Sequence, residues 1–148
     1  MLIETLKTLF TRDLNRLRAE IELYKKEETI WKTEESISNS AGNLCLHLLG
    51  NLNTYIGNEI GKTPYERNRE LEFSLKNIPR DALVNRIDDT IVVVNAALDS
   101  LNERDLLMEY PVLVFQEKTS TVYFLVHLVS HLSYHLGQVN YHRRLIDK

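Results

Sequence analysis

STVYFLVHLVSHLSYHLGQVNYHRRLI, residues 120–146, decides how this chain folds. From Thr119 to His142 it contains no Asp, Glu, Lys or Arg. On a helical wheel, at about 100° per residue, Leu125, Leu128, Val129, Leu132, Leu136 and Val139 cover one broad face. His127, His131, His135, Gln138 and His142 share the other, flanked by Tyr134 and Tyr141. A solvated face normally carries Lys, Glu or Arg, so both faces of this helix are expected to be enclosed by protein. The stretch has the length of a membrane span, but its histidines, amides and hydroxyls are costly in hydrocarbon. No membrane role is expected.

Three more helical segments lie upstream. The first runs roughly from Leu2 to Lys26, with Leu2, Leu6, Leu9, Phe10, Leu17, Ile21 and Tyr24 on one stripe. Trp31 follows in a polar linker, where it is expected to cap the core. The second runs roughly from Ala41 to Ile60, capped by Ser38, Asn39 or Ser40 and stopped by Gly61. Leu44, Cys45, Leu48, Leu52, Tyr55 and Ile56 form its apolar arc, and His47 lies at the edge of that arc beside Asn51, Thr54 and Asn58. Cys45 reads as a small core residue. The third starts near Pro79 and ends near Leu101, with Leu83, Ile87, Ile91, Val94, Leu98 and Leu101 as its stripe; Val92 and Val93 broaden it, as if for contact on more than one side.

Four long helices and little strand give an all-α chain, a four-helix bundle. Its 148 residues suit one domain spanning 1–148. The connections Lys62–Asn77 and Asn102–Thr119 are long for a bundle, so crossovers are expected instead of minimal hairpins. Either connection could wall a pocket. The run VLVF after Pro111 suggests a short extended or hairpin element.

Composition narrows the function. Hydrophobic residues make up 43% and charged residues 26%, with a formal net charge of −3 and mixed signs along the chain. No basic block is present to neutralise phosphates, which argues against nucleic acid as a partner. One cysteine rules out an internal disulfide and fits a reducing, cytoplasmic setting. The N-terminus lacks the pattern of a signal peptide.

The histidine ladder carries the chemistry. Side chains four residues apart stack on one helix face, and an enclosed imidazole needs partners for its ring nitrogens. Three imidazoles in one row cannot easily reach one ion, because the outer two are about 12 Å apart along the axis. A neighbouring pair plus His47, the only histidine outside this helix, is the sound solution. Geometry leaves two pairs open, His127 with His131 or His131 with His135. A lone helical histidine is usually a surface or core residue; three in register on an uncharged face, with a fourth on a facing helix, call for a ligand. Imidazole suits a divalent transition metal such as zinc or nickel, and release is expected below about pH 6 as the rings protonate. His142, near Arg143 and Arg144, is expected at an exposed end in its cationic form.

HLLGN at His47–Asn51 and HLVSHLSYHLGQ at His127–Gln138, with a long crossover between the second and third helices, resemble the DinB-like superfamily, which includes bacillithiol-transferase-like proteins. The resemblance runs along nearly the whole chain. It implies the metal ligands His47, His131 and His135, with His127, Asn51 and Gln138 near the site. Where the family often has Arg before its Gly-Gln, this chain has Leu136. The resemblance also implies a homodimer, and an activity in which a low-molecular-weight thiol attacks a small electrophile or assists an isomerisation.

Read as an enzyme, the chain is then a metal-dependent thiol S-transferase, with Tyr134 or Tyr55 as candidate catalytic hydrogen-bond donors. A metal-dependent hydrolase is the alternative, for which Glu59 and Asp89 are the candidate bases. A non-enzymatic metal- or ligand-binding stress protein is a third reading. A haem-binding bundle is a fourth, which a colourless protein would dismiss.

Overall fold

A computed structural model describes all residues from 1 to 148. It is all-helical: α1 (Leu2–Leu23), α2 (Ala41–Leu52), α3 (Arg69–Ser74), α4 (Arg80–Asp99) and α5 (Thr121–Ile146). Four long helices stand where the periodicity put them. No helix is long and apolar enough to cross a membrane.

The apolar stripes explain the packing. α1 packs on α4 and α5, and α2 packs on the same two, so the long helices close a ring in the order α1, α4, α2, α5. Phe10, Leu14, Leu17 and Ile21 of α1 meet Leu48 and Leu52 of α2, Leu83, Ile87 and Leu98 of α4 and Leu125, Leu128 and Leu132 of α5 in one buried cluster. Removing such side chains from water is the main favourable term in folding. Every residue of α2 is buried, including His47 and Asn51, because α3 covers the side that the ring leaves open.

Local chemistry sets the helix ends. Ser40 caps α2, its Oγ accepting from Asn43 N at 3.1 Å, and Ser120 caps α5, accepting from Tyr123 N at 3.2 Å. α2 runs on into one wide π-helical turn, Asn53–Asn58. Gly61 is not the left-handed stop expected from the sequence; Lys62 takes that conformation, with φ 59°. Gly61 instead permits close approach, since a Cβ there would stand 2.8 Å from Ala97 Cβ on α4. Trp31 caps the core as expected: it ends a 3-10 turn and packs on Gly42, where an added Cβ would fall 2.5 Å from the indole.

Three expectations fail. The VLVF region forms no strand or hairpin, only one isolated bridge between Glu109 and Ser120, and Leu113 is exposed. Val92 points to solvent, although Val93 does pack against Gly57. The histidine face of α5 is half-open, with His127, His131 and His135 partly accessible and Tyr134 and Tyr141 exposed. Its lack of charge comes from the cluster of imidazoles, not from complete enclosure.

His142 is a further correction. It is buried, accepting from the Tyr24 hydroxyl at Nδ1 (2.6 Å) and donating from Nε2 to the Lys32 carbonyl at 2.8 Å. Burial, only partly offset by the Lys32 carbonyl, lowers its pKa, so the ring is neutral. Above about pH 6.5, the unperturbed value, folded and unfolded chains both carry a neutral ring. Below it the unfolded chain takes up the proton first, so stability falls as pH drops toward the depressed folded pKa. Urea unfolding of metal-free protein at pH 7.5 and 5.5 should show this loss, and His142→Gln should reduce it, the remainder belonging to His131 and His135, whose pKa values burial also lowers. An equal slope in both proteins would refute the assignment.

Candidate metal centre

α2 and α5 pack side by side, and this brings His47 opposite two rungs of the ladder. His47 Nε2 lies 3.2 Å from His131 Nε2. The ring centroids of His47 are 5.1 Å from His131 and 5.3 Å from His135, and those of His131 and His135 are 4.6 Å apart. One ring nitrogen from each of the three falls within 4.8 Å of the others, a grouping that could hold a metal ion. Around a tetrahedral zinc, donor nitrogens are separated by about 3.3–3.4 Å, which the His47–His131 spacing matches. Of the two pairs open on the wheel, His131 with His135 is the one that meets His47.

The far side of each ring shows which nitrogen is free. His47 Nδ1 donates to Glu72 Oε1 at 3.1 Å, leaving Nε2 with a bare lone pair. His135 Nδ1 donates to Gln138 Oε1 at 2.6 Å, and its Nε2 is bare in the same way. His131 Nδ1 is buried with no partner. With His47 Nδ1 donating to Glu72, His47 Nε2 accepts from His131 Nε2–H across 3.2 Å, and a cation between the rings would take the place of that proton. Histidines that donate one ring N–H to a carboxylate or amide while presenting the other nitrogen form the usual support of a metal ligand. The residues fit a divalent ion.

Electrostatics favour neutral, ligating rings. Burial first, then the nearby His135, His47, His127 and Arg67, push the His131 pKa down to about 4. Burial also lowers His135, with Gln138 opposing. Protons therefore compete for these nitrogens less than for free imidazole, and acid release moves below the pH 6 expected from unperturbed rings. Burial alone would raise the Glu72 carboxyl, but the hydrogen bonds from His47 and Arg67 outweigh it and hold the group below its ordinary range. The Arg67 guanidinium grips that carboxylate twice, Nε to Oε2 at 2.8 Å and Nη2 to Oε1 at 3.0 Å.

The other candidates fall into place around this cluster. His127 is not part of it: its ring packs against Phe115 at 4.7 Å and Phe124 at 6.0 Å, with His131 6.3 Å away. Asn51 is buried and its Oδ1 has no partner. Tyr134 is exposed, with its ring 5.3 Å from His135. Tyr55 is half-buried under the Arg67 guanidinium, 5.8 Å from its centroid, and edge-on to Phe124. Asp89 lines a cavity of about 470 Å³ beside Gly50, and Glu59 follows the wide turn at the far end of α2. Cys45 is fully buried with its thiol pKa raised by burial, an inert core residue as expected.

Sequence reasoning missed Glu72, Arg67 and Phe73, whose ring lies 5.0 Å from His47. All three belong to the segment read as a connection. The one available signal was Gly50 inside a helix, where glycine is disfavoured unless something approaches closely.

A family model described as a protein of unknown function (DUF1572) matches residues 3–148 of the chain. No curated protein matches it.

Proposed function

As the chain belongs to the DUF1572 family, itself part of the DinB-like clan, we propose that it is a metal-dependent transferase of the thiol-activating kind. The observation that carries this reading is the convergence of three imidazoles from two helices, two of them pinned from behind so that Nε2 is free. His47, His131 and His135 would hold the ion, with zinc or nickel suited to the donors. A divalent ion there supplies Lewis acidity and lowers the pKa of a thiol that joins it. Gln138 accepts from His135 Nδ1 and so fixes that ring. Tyr134, whose ring lies 5.3 Å from that of His135 and is open to solvent, is the candidate donor to an incoming substrate, with Tyr55, under Arg67, as the second.

Hydrolysis ranks lower, because it needs a free carboxylate as base. Glu72 is already engaged by Arg67 and His47, Asp89 faces the cavity beside Gly50, and Glu59 belongs to the other end of α2. The arrangement as a DinB-like four-helix bundle with crossovers, and a cytoplasmic homodimer, complete the proposal. Support for the dimer comes from the uncharged outer face of α5, where Tyr123, Val126, Tyr134 and Tyr141 are exposed and an added Cβ at Gly137 would meet nothing.

The test is direct. Protein loaded with zinc or nickel is incubated with cellular thiols and a chromogenic electrophile, and the rate above the thiol alone is followed. Metal-dependent coupling, lost in His131→Ala, is expected. Stoichiometric metal with no coupling by any thiol leaves a non-enzymatic metal-binding protein and ends the transferase reading. Solution mass at twice the 17.3 kDa chain checks the dimer.

A further inference from the structure

Glu72 is an unusual residue for a six-residue helix in a connection. α3 lies on the outside of α2, capped by Asn68, whose Oδ1 accepts from Leu71 N at 3.1 Å. A carboxylate on such a helix would normally face water, yet Glu72 is only 6% exposed. Burying a charge is costly unless it is paired and hydrogen-bonded. Here Arg67 supplies two hydrogen bonds and His47 a third, the last to the same Oε1 that Arg67 Nη2 reaches.

The rest of the surroundings is built for this carboxylate. A Cβ at position 50 would fall 1.9 Å from Glu72 Oε2 and 2.6 Å from its carboxyl carbon, so only glycine leaves room. Asn43, one turn before His47 on α2, donates through Nδ2 to the carbonyls of Glu72 and Leu75, each at 2.9 Å. Side chain and backbone of the segment are thus fixed against α2 at once. A buried Arg–Glu pair is a weak way to add stability, and a helix interior disfavours glycine. Both features become useful if the carboxylate has work to do on His47.

We propose that Glu72 is a positioning residue for the metal centre: it holds His47 as the Nδ1–H tautomer with Nε2 aimed at His131 and His135, while Arg67 and Gly50 hold Glu72. The proposal rests on the three-histidine metal reading. Arg67 confines the carboxylate to one orientation, so the imidazole has one ring orientation and one tautomer before any ion arrives. Gly50 makes the device sensitive to a residue that touches neither the histidines nor an ion.

Zinc affinity is measured by competition with a chromophoric chelator for the parent, Glu72→Gln, Gly50→Ala and the control Glu66→Gln. Glu66 is a neighbouring carboxylate that makes no contact with His47 and lines the adjacent cavity. Glu72→Gln and Gly50→Ala should each weaken zinc binding by about 10–100-fold, with Glu66→Gln unchanged and the metal-free proteins still folded. Nitrogen-15 histidine spectra of metal-free protein should show His47 as Nδ1–H in the parent and a tautomer mixture in Gly50→Ala, where the carboxylate is displaced. Parent-like affinity in both variants overturns the role of Glu72 and leaves the metal reading standing. A parent that binds no zinc overturns the metal reading, and this role with it.

Discussion

His131→Ala should weaken zinc binding on the order of a hundredfold, while His127→Ala should keep the parent's affinity. The three rings form a near-equilateral triangle, with centroids 5.1, 5.3 and 4.6 Å apart, so loss of His131 leaves two of three donors. Structural zinc sites bind with about 10–16 kcal/mol at neutral pH. Shared over four donors, one ligand is worth roughly 3 kcal/mol, on the order of a hundredfold in affinity. His131 is half-buried and its Nδ1 has no partner, so alanine removes no structural hydrogen bond at that atom. His127 is the matched control, one turn away and packed by Phe115 and Phe124. Competition of untagged protein with a chromophoric chelator reads the outcome, and equal zinc affinity in the parent and His131→Ala would refute the ligand set.

Saturating metal should raise thermal stability substantially. His47 and His131 are 84 residues apart, and in the unfolded chain they share no site. An ion that binds only the folded form at a thousand times its Kd stabilises by about 4.1 kcal/mol. For a chain of this size each kcal/mol moves Tm by roughly 2–4 °C, so the expected rise is about 8–16 °C. A chelator should reverse it, and His131→Ala at the same metal concentration should keep only about a third of it. Identical melting with metal, with chelator and in the variant would mean that the three rings hold no ion.

Much of this was legible in the residues, and the failures share a cause. Four helices followed from the 3.6-residue period of their apolar positions, because each stripe had one core to meet. His47, His131 and His135 stood out because imidazoles pack poorly in an apolar core and are a weak substitute for Lys or Glu against water, which leaves ligation as the use of such a row. The choice of pair was not local: it depended on how far along α5 the α2 helix crosses, which puts His127 under Phe115 instead. His142 was misjudged because Arg143 and Arg144 signalled an exposed end, while its true partner, Tyr24, lies 118 residues away. Glu72 was invisible for the same reason. RELEFS at Arg69–Ser74 reads as a polar surface turn, and only Gly50, in another helix, marks the space its carboxylate fills.

The grip of Arg67 on Glu72 has a consequence for what completes the coordination sphere. Carboxylate and guanidinium cancel, and imidazoles ligate in their neutral form, so neither would offset the double charge of a bound cation. In a partly buried setting that imbalance is felt strongly at short range. Electroneutrality would be left to the visitor, so an ion held there would favour a small anion, such as a thiolate, over a neutral molecule of similar size.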